Sequence, residues 1–107
     1  MRILLDECVP RRLRRELPGH EVHTVPEMGW SGKKNGELLQ LMAGQGMEVL
    51  LTVDQSILHQ QNLKAAGIAV VILVAVSNRL GDLLPRMPSA LTALDSIKSG
   101  DVVEITA

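Results

Sequence analysis

Residues 49–54 read VLLTVD. Five apolar or β-branched residues in succession are too few for a buried helix and suit a strand covered on both faces. The run stops at a carboxylate, Asp54. The chain begins in the same way: in MRILLDECVP, residues 1–10, the run Ile3-Leu4-Leu5 stops at Asp6 and Glu7. A third run, Ile68 to Val76, is the most apolar of all and follows Gly67. Buried strands that end on acids organise this sequence.

The segments between them read as helices. Pro10 suits a first helical turn, and Val9, Leu13 and Leu17 recur every four residues as one helical face. Arg11, Arg12, Arg14 and Arg15 fall on the other sides and read as a solvated face, with phosphate contact as the sharper alternative. Pro18-Gly19 ends that helix, and His20 to Val25 alternates as a further strand. Pro26 to Gly36 is a loop rich in Gly, Ser and Lys. Glu37 to Ala43 reads as a helix closed by Gly44 and Gly46. A short helix is expected after Asp54, through Leu63 or Ala66. Leu80 to Ile97 holds a helix interrupted or started by Pro85 and Pro88, and Val102 to Ile105 reads as a last, edge strand. Strand and helix in alternation imply a mostly parallel sheet of four to five strands covered on both faces, a three-layer α/β/α fold. Residues 1–107 form one domain, with no repeat, linker or low-complexity tract.

Composition narrows the function. The chain is 46% hydrophobic and 21% charged, with a net charge of -1. Bulk charge therefore argues neither for nor against nucleic acid. One Trp and no Phe or Tyr argue against a platform of stacked aromatics. Cys8 is the only cysteine, which fits a reducing, cytoplasmic setting. No stretch reaches the roughly 18 apolar residues of a membrane span, and Asp6 and Glu7 interrupt the start too early for a signal peptide.

In an open α/β sheet, ligands bind beyond the carboxyl ends of the strands. If the first strand and the VLLTV strand are neighbours, Asp6 and Asp54 converge there, and Glu37 at the start of its helix can point to the same place. Like charges brought together repel, and a hard divalent cation such as Mg²⁺, which takes oxygen ligands, relieves the conflict. The plainer role of Asp54 is to cap the following helix.

Three stretches taken together, LLDECVP at 4–10, LPGHEVHTVPEMGWSGKKNGELLQLM at 17–42 and LLTVDQSI at 50–57, make the sequence resemble the PIN-like nuclease superfamily. It looks most like the small stand-alone PIN-like proteins found beside antitoxin-like genes in prokaryotes. The resemblance implies a Rossmann-like fold and a Mg²⁺- or Mn²⁺-dependent ribonuclease, acting as the toxin of a toxin–antitoxin pair. RNA, an antitoxin protein and a homodimer would be its partners. By position, Asp6 matches the first-strand acid, and Asp54 the acid of a Thr-x-Asp motif with Thr52 beside it. Asn35 stands where an Asp is common, with Glu37 the nearest substitute. Ser56 stands where a further acid often follows. The implied catalytic and metal-holding set is Asp6, Glu37 and Asp54, supported by Glu7, Asn35, Thr52 and Ser56. Lys33, Lys34 and Arg79 are the candidates for substrate contact.

The remaining candidates read as structural. Trp30 is expected to pack, although it can stack on a base. His20 and His23 lie three apart on a strand, hence on opposite faces, and with His59 they make no metal site. The acids flanking Cys8 oppose thiolate formation. Two other functions stay open. The neutral residues at 35 and 56 permit a catalytically weakened module that binds RNA or a protein. A receiver-like phosphoacceptor also places paired acids after its first strand, but Gln55-Ser56 here replaces the apolar-Met-Pro run of that class.

Overall fold

The computed structural model describes residues 1–59 and 63–106, without the side chain of His59. The structural reading of His59 therefore lies outside the described residues. Five strands form one sheet: β1 (Arg2–Leu5), β2 (Glu21–Thr24), β3 (Val49–Thr52), β4 (Ala69–Leu73) and β5 (Val102–Ile105). All pairings are parallel and the order is β2-β1-β3-β4-β5. The three runs recognised by their apolar character are the three inner strands, β1, β3 and β4. Every residue of β3 and β4 is buried, as a parallel strand covered on both faces requires. β5 is an edge strand, and Val102 and Glu104 on it are exposed.

Alternate residues of the inner strands feed two cores. Leu4, Leu50, Val70 and Ile72 pack with α1 (Asn35–Gly44), α2 (Leu63–Ala66) and Trp30. Ile3, Leu5, Leu51, Val71 and Leu73 pack with Leu13 and with α3 (Leu80–Leu83) and α4 (Met87–Leu94). The result is the expected three-layer α/β/α arrangement. Trp30 is only 9% exposed and packs against the α1 side. The β3–β4 and β4–β5 connections step the same way across the sheet but run over opposite faces. They are therefore opposite in hand, so one of them departs from the usual right-handed crossover.

One helical segment is wound differently from expectation, and another is interrupted at its prolines as expected. Arg11–Glu16 is wound as a 3-10 helix, with Leu13 N–H bonded to Pro10 O at 3.0 Å and Leu17 N–H to Arg14 O at 3.1 Å. The four-residue spacing of Val9, Leu13 and Leu17 is still satisfied, because only Leu13 lies in the helix while Val9 and Leu17 flank it. The Leu80–Ile97 stretch is α3, a 3-10 turn over Leu84–Arg86, and α4. Pro85 and Pro88 lack the N–H that one continuous helix would need.

Gly100, in the turn that leads into β5, has φ +88°, and a Cβ there would lie 2.8 Å from Lys64 Cβ and 3.0 Å from Lys64 Cα in α2. Gly100→Ala therefore combines left-handed backbone strain of about 1–2 kcal/mol with overpacking of about 1–3 kcal/mol. A thermal melt should fall by at least about 10 °C, at roughly 4–8 °C per kcal/mol for a domain of this size. Gly29→Ala, with φ +76° and open space around it, carries only the strain and should fall less.

Candidate active site

The order β2-β1-β3 puts the switch point of the sheet at β1, and the crevice beyond it is where α/β folds bind ligands. Leu5 is in register with Thr24 on one side and Leu51 on the other. The ladder continues one residue further, since Asp6 N–H donates to Leu51 O at 2.9 Å. Asp6 is thereby seated beside Thr52, the last residue of β3.

Thr52 is fully buried and joins the two strand-end acids. Its hydroxyl donates to Asp6 Oδ2 at 2.6 Å and accepts the N–H of Asp54 at 3.0 Å. The other oxygen of Asp6, Oδ1, accepts the N–H of Glu7 at 2.8 Å. Asp54 does cap the helical turn after it: Oδ1 accepts the N–H of Ser56 at 2.9 Å. This bond, then the Ser56 hydroxyl, then the Asn35 amide, outweigh desolvation and hold the Asp54 carboxyl below its ordinary pKa. Asn35, the first residue of α1, donates from Nδ2 to Ser56 Oγ at 3.2 Å. Asp6, Thr52, Asp54, Ser56 and Asn35 thus form one connected polar group.

The other expected site residues are placed differently. Glu37 is exposed and ion-paired to Lys33, Nζ to Oε1 at 3.0 Å. It stands two residues after Asn35, about 200° around the helix, so α1 turns one of the two toward Ser56 and the other away. Among the described residues, no three His, Cys, Asp or Glu side chains come together as a metal-holding group. Glu7 ties down the loop, its Oε1 accepting the N–H of Gly32 at 3.0 Å. Lys34 is the exposed N-cap of α1, and Arg79 is the exposed N-cap of α3. Among the described residues neither forms an ion pair. Cys8 stays a thiol: burial raises its pKa most, and the charge of Asp6 adds to this. His23 pairs with Glu21 at 3.0 Å on the outer strand, away from the strand-end acids.

Glu27 did not stand out in the sequence. Together with Asp6, Glu7, Thr24, Arg11 and Arg14 it lines a cavity of about 410 Å³. Its Oε1 accepts the N–H of Thr24 at 2.9 Å, and its own N–H donates to Thr24 Oγ1 at 3.3 Å. The Thr-x-x-Glu spacing at the end of β2 is the signal for this reciprocal cap. Glu27 also pairs with Arg14.

The donors suit a hard cation. Two carboxylates, a hydroxyl and an amide oxygen are all oxygen ligands, and Mg²⁺ is commonly held by one or two carboxylates plus substrate phosphates and water. Thr52→Val keeps the shape but removes the hydroxyl's bonds to Asp6 and to the Asp54 N–H, and its weaker contact with Cys8 Sγ at 3.7 Å. The expected result is a loss of about 1–3 kcal/mol in stability, with any metal affinity or activity of the site lower by about 10–100-fold. Thermal melts and metal titration of the two proteins check this.

A family model described as a PIN like domain matches residues 1–75. The match spans β1 through β4 and every residue of the polar group. Searches of curated proteins and of solved structures return no significant match. The parallel sheet, the acids at its switch point and the matched family model agree, and the chain belongs to the PIN-like family.

Proposed function

We propose that this protein is a metal-dependent endoribonuclease of the small stand-alone prokaryotic PIN-like kind, the toxin of a toxin–antitoxin pair. The observation that supports the reading is the buried Thr52 hydroxyl, which donates to Asp6 Oδ2 and accepts the backbone N–H of Asp54, and so ties the side chain of one strand-end acid to the main chain of the other. In this reading Asp6 and Asp54 hold Mg²⁺ or Mn²⁺. Such a cation, when bound, lowers the pKa of a coordinated water and offsets charge on the phosphate. Asp54, kept ionised by the Ser56 N–H, is suited to hold a cation. Asn35 and Ser56 orient water or substrate from the third position, and Glu37 reaches it only by leaving Lys33. Lys33 and Lys34 contact phosphate from the rim, as loop residues beside a site commonly do. An antitoxin protein and a homodimer belong to the same proposal.

The first experiment is cleavage of a panel of structured and single-stranded RNAs with Mg²⁺, with Mn²⁺ and with chelator. Metal-dependent cutting is the expected result. A second reading, a weakened PIN-like module that binds RNA or a protein, is favoured by the neutral Asn35 and Ser56. It prevails if the folded, metal-loaded protein binds RNA and cuts none of the panel.

A further inference from the structure

We propose that the 3-10 segment Arg11–Glu16 is a phosphate track that leads a single RNA strand to the strand-end acids; this rests on the ribonuclease reading above. A 3-10 helix has three residues per turn, so side chains three apart eclipse. The sequence RRLRRE then forms three rows: Arg11 with Arg14, Arg12 with Arg15, and Leu13 with Glu16. Exposure follows the same period. The four arginines are exposed, Leu13 is fully buried and Glu16 is half-buried. An α-helix would spread the four side chains at about 100° steps; the tighter winding gathers them into two adjacent rows.

These rows border the site. Arg11 and Arg14 line the cavity of about 410 Å³ that contains Asp6 and Glu7. The same two residues, with Arg12 and Arg15, line a second cavity of about 410 Å³. The two cavities share Arg11 and Arg14, so the arginine face adjoins the cavity that Asp6 lines. Among the described residues only Arg14 of the four has an acidic partner, Glu27, and that pair is itself exposed. Gathering like charges is unfavourable in the isolated protein and is relieved by a polyanion, and guanidinium forks match phosphate oxygens two at a time. Continuity with the acids favours the phosphodiester chain over an acidic protein segment, because a nuclease must hold its strand beside the bond it cuts. Trp30 is packed in the core, so no aromatic platform is present among the described residues, and the track reads backbone charge rather than bases.

The test is binding of a labelled single-stranded RNA in chelator, which separates binding from cleavage, over a range of salt concentrations. Arg12→Gln/Arg15→Gln and Arg11→Gln/Arg14→Gln are compared with the unaltered protein. Lys64→Gln/Lys98→Gln, at the opposite end of the sheet, is the control of equal charge change. Each phosphate contact contributes about 0.7 to the slope of log K against log salt for a single strand. Each arginine pair should therefore flatten the slope by about 1.4 and weaken binding at least about tenfold at low salt, with the lysine control and the melting temperatures unchanged. Slopes and affinities equal to those of the unaltered protein in both arginine variants, or no RNA binding by any protein, would overturn the track. The former would leave the face for an acidic protein partner. Arginine-dependent binding with no cleavage in Mg²⁺ keeps the track and removes the nuclease. Cleavage with arginine-independent binding does the reverse.

Discussion

Asp54→Asn is expected to lose metal-dependent cleavage by at least about 100-fold while melting close to the unaltered protein. A cation at such a site supplies several kcal/mol of charge stabilisation, and each 1.36 kcal/mol is a factor of ten in rate. The fold should survive because an Asn at 54 keeps an oxygen where Oδ1 now accepts the Ser56 N–H. Asp6→Asn should lose the same activity and stability as well. Asp6 accepts from Glu7 N–H with Oδ1 and from the Thr52 hydroxyl with Oδ2, and an amide has one acceptor only. The Thr52 oxygen has a second lone pair that can accept from an Asn amide, but its proton then loses the carboxylate it now meets. The expected cost is about 1–3 kcal/mol, as for one buried polar group left unmatched. Initial rates in Mg²⁺ beside thermal melts of both variants check the pair. Cleavage at the unaltered rate by both variants would remove the two acids from the chemistry.

The parts of this fold that were legible in sequence are those where one signal dominates. Ile3-Leu4-Leu5, Val49 to Thr52 and Ala69 to Leu73 are uninterrupted apolar runs, and only a doubly covered sheet buries such runs. Their carboxyl ends lie along one edge of the sheet, where Asp6 and Asp54 follow the neighbouring strands β1 and β3. Other features depend on directions that spacing does not carry. RRLRRE fits three or four residues per turn, and only the winding shows that the arginines gather in two rows, with Arg11 and Arg14 on the cavity that Asp6 lines. The helix reads from Glu37 in sequence but begins at Asn35, and those two extra residues decide which side chain meets Ser56. Glu27 lies in a loop whose path is set by its bonds to Thr24, a reciprocal cap masked in sequence by the intervening Pro26. Arg79 follows β4 and is at once the N-cap of α3, the plainer of the two roles its position in the sequence suggests.

Asn35→Asp is expected to strengthen the cation site and raise Mg²⁺-dependent cleavage by about tenfold or more, a gain of roughly 1.4 kcal/mol at the transition state. Asn35 sits at the first residue of α1 and donates to Ser56 Oγ. A carboxylate there can accept from that hydroxyl instead, and the helix N-terminus favours the negative charge by about 0.3–1 kcal/mol. Without a cation the new acid loses more than it gains, because it replaces an amide that helps keep Asp54 ionised with a like charge. The variant should therefore melt lower than the unaltered protein in chelator and rise more steeply as Mg²⁺ is added, since a ligand bound only by the folded state stabilises it by mass action. Glu37→Gln is the counterpart. Its carboxylate is engaged by Lys33 on another side of α1, so its loss should leave the Mg²⁺-dependent rise in melting temperature unchanged. A flat Mg²⁺ response in Asn35→Asp, with a diminished one in Glu37→Gln, would transfer the third position from Asn35 to Glu37.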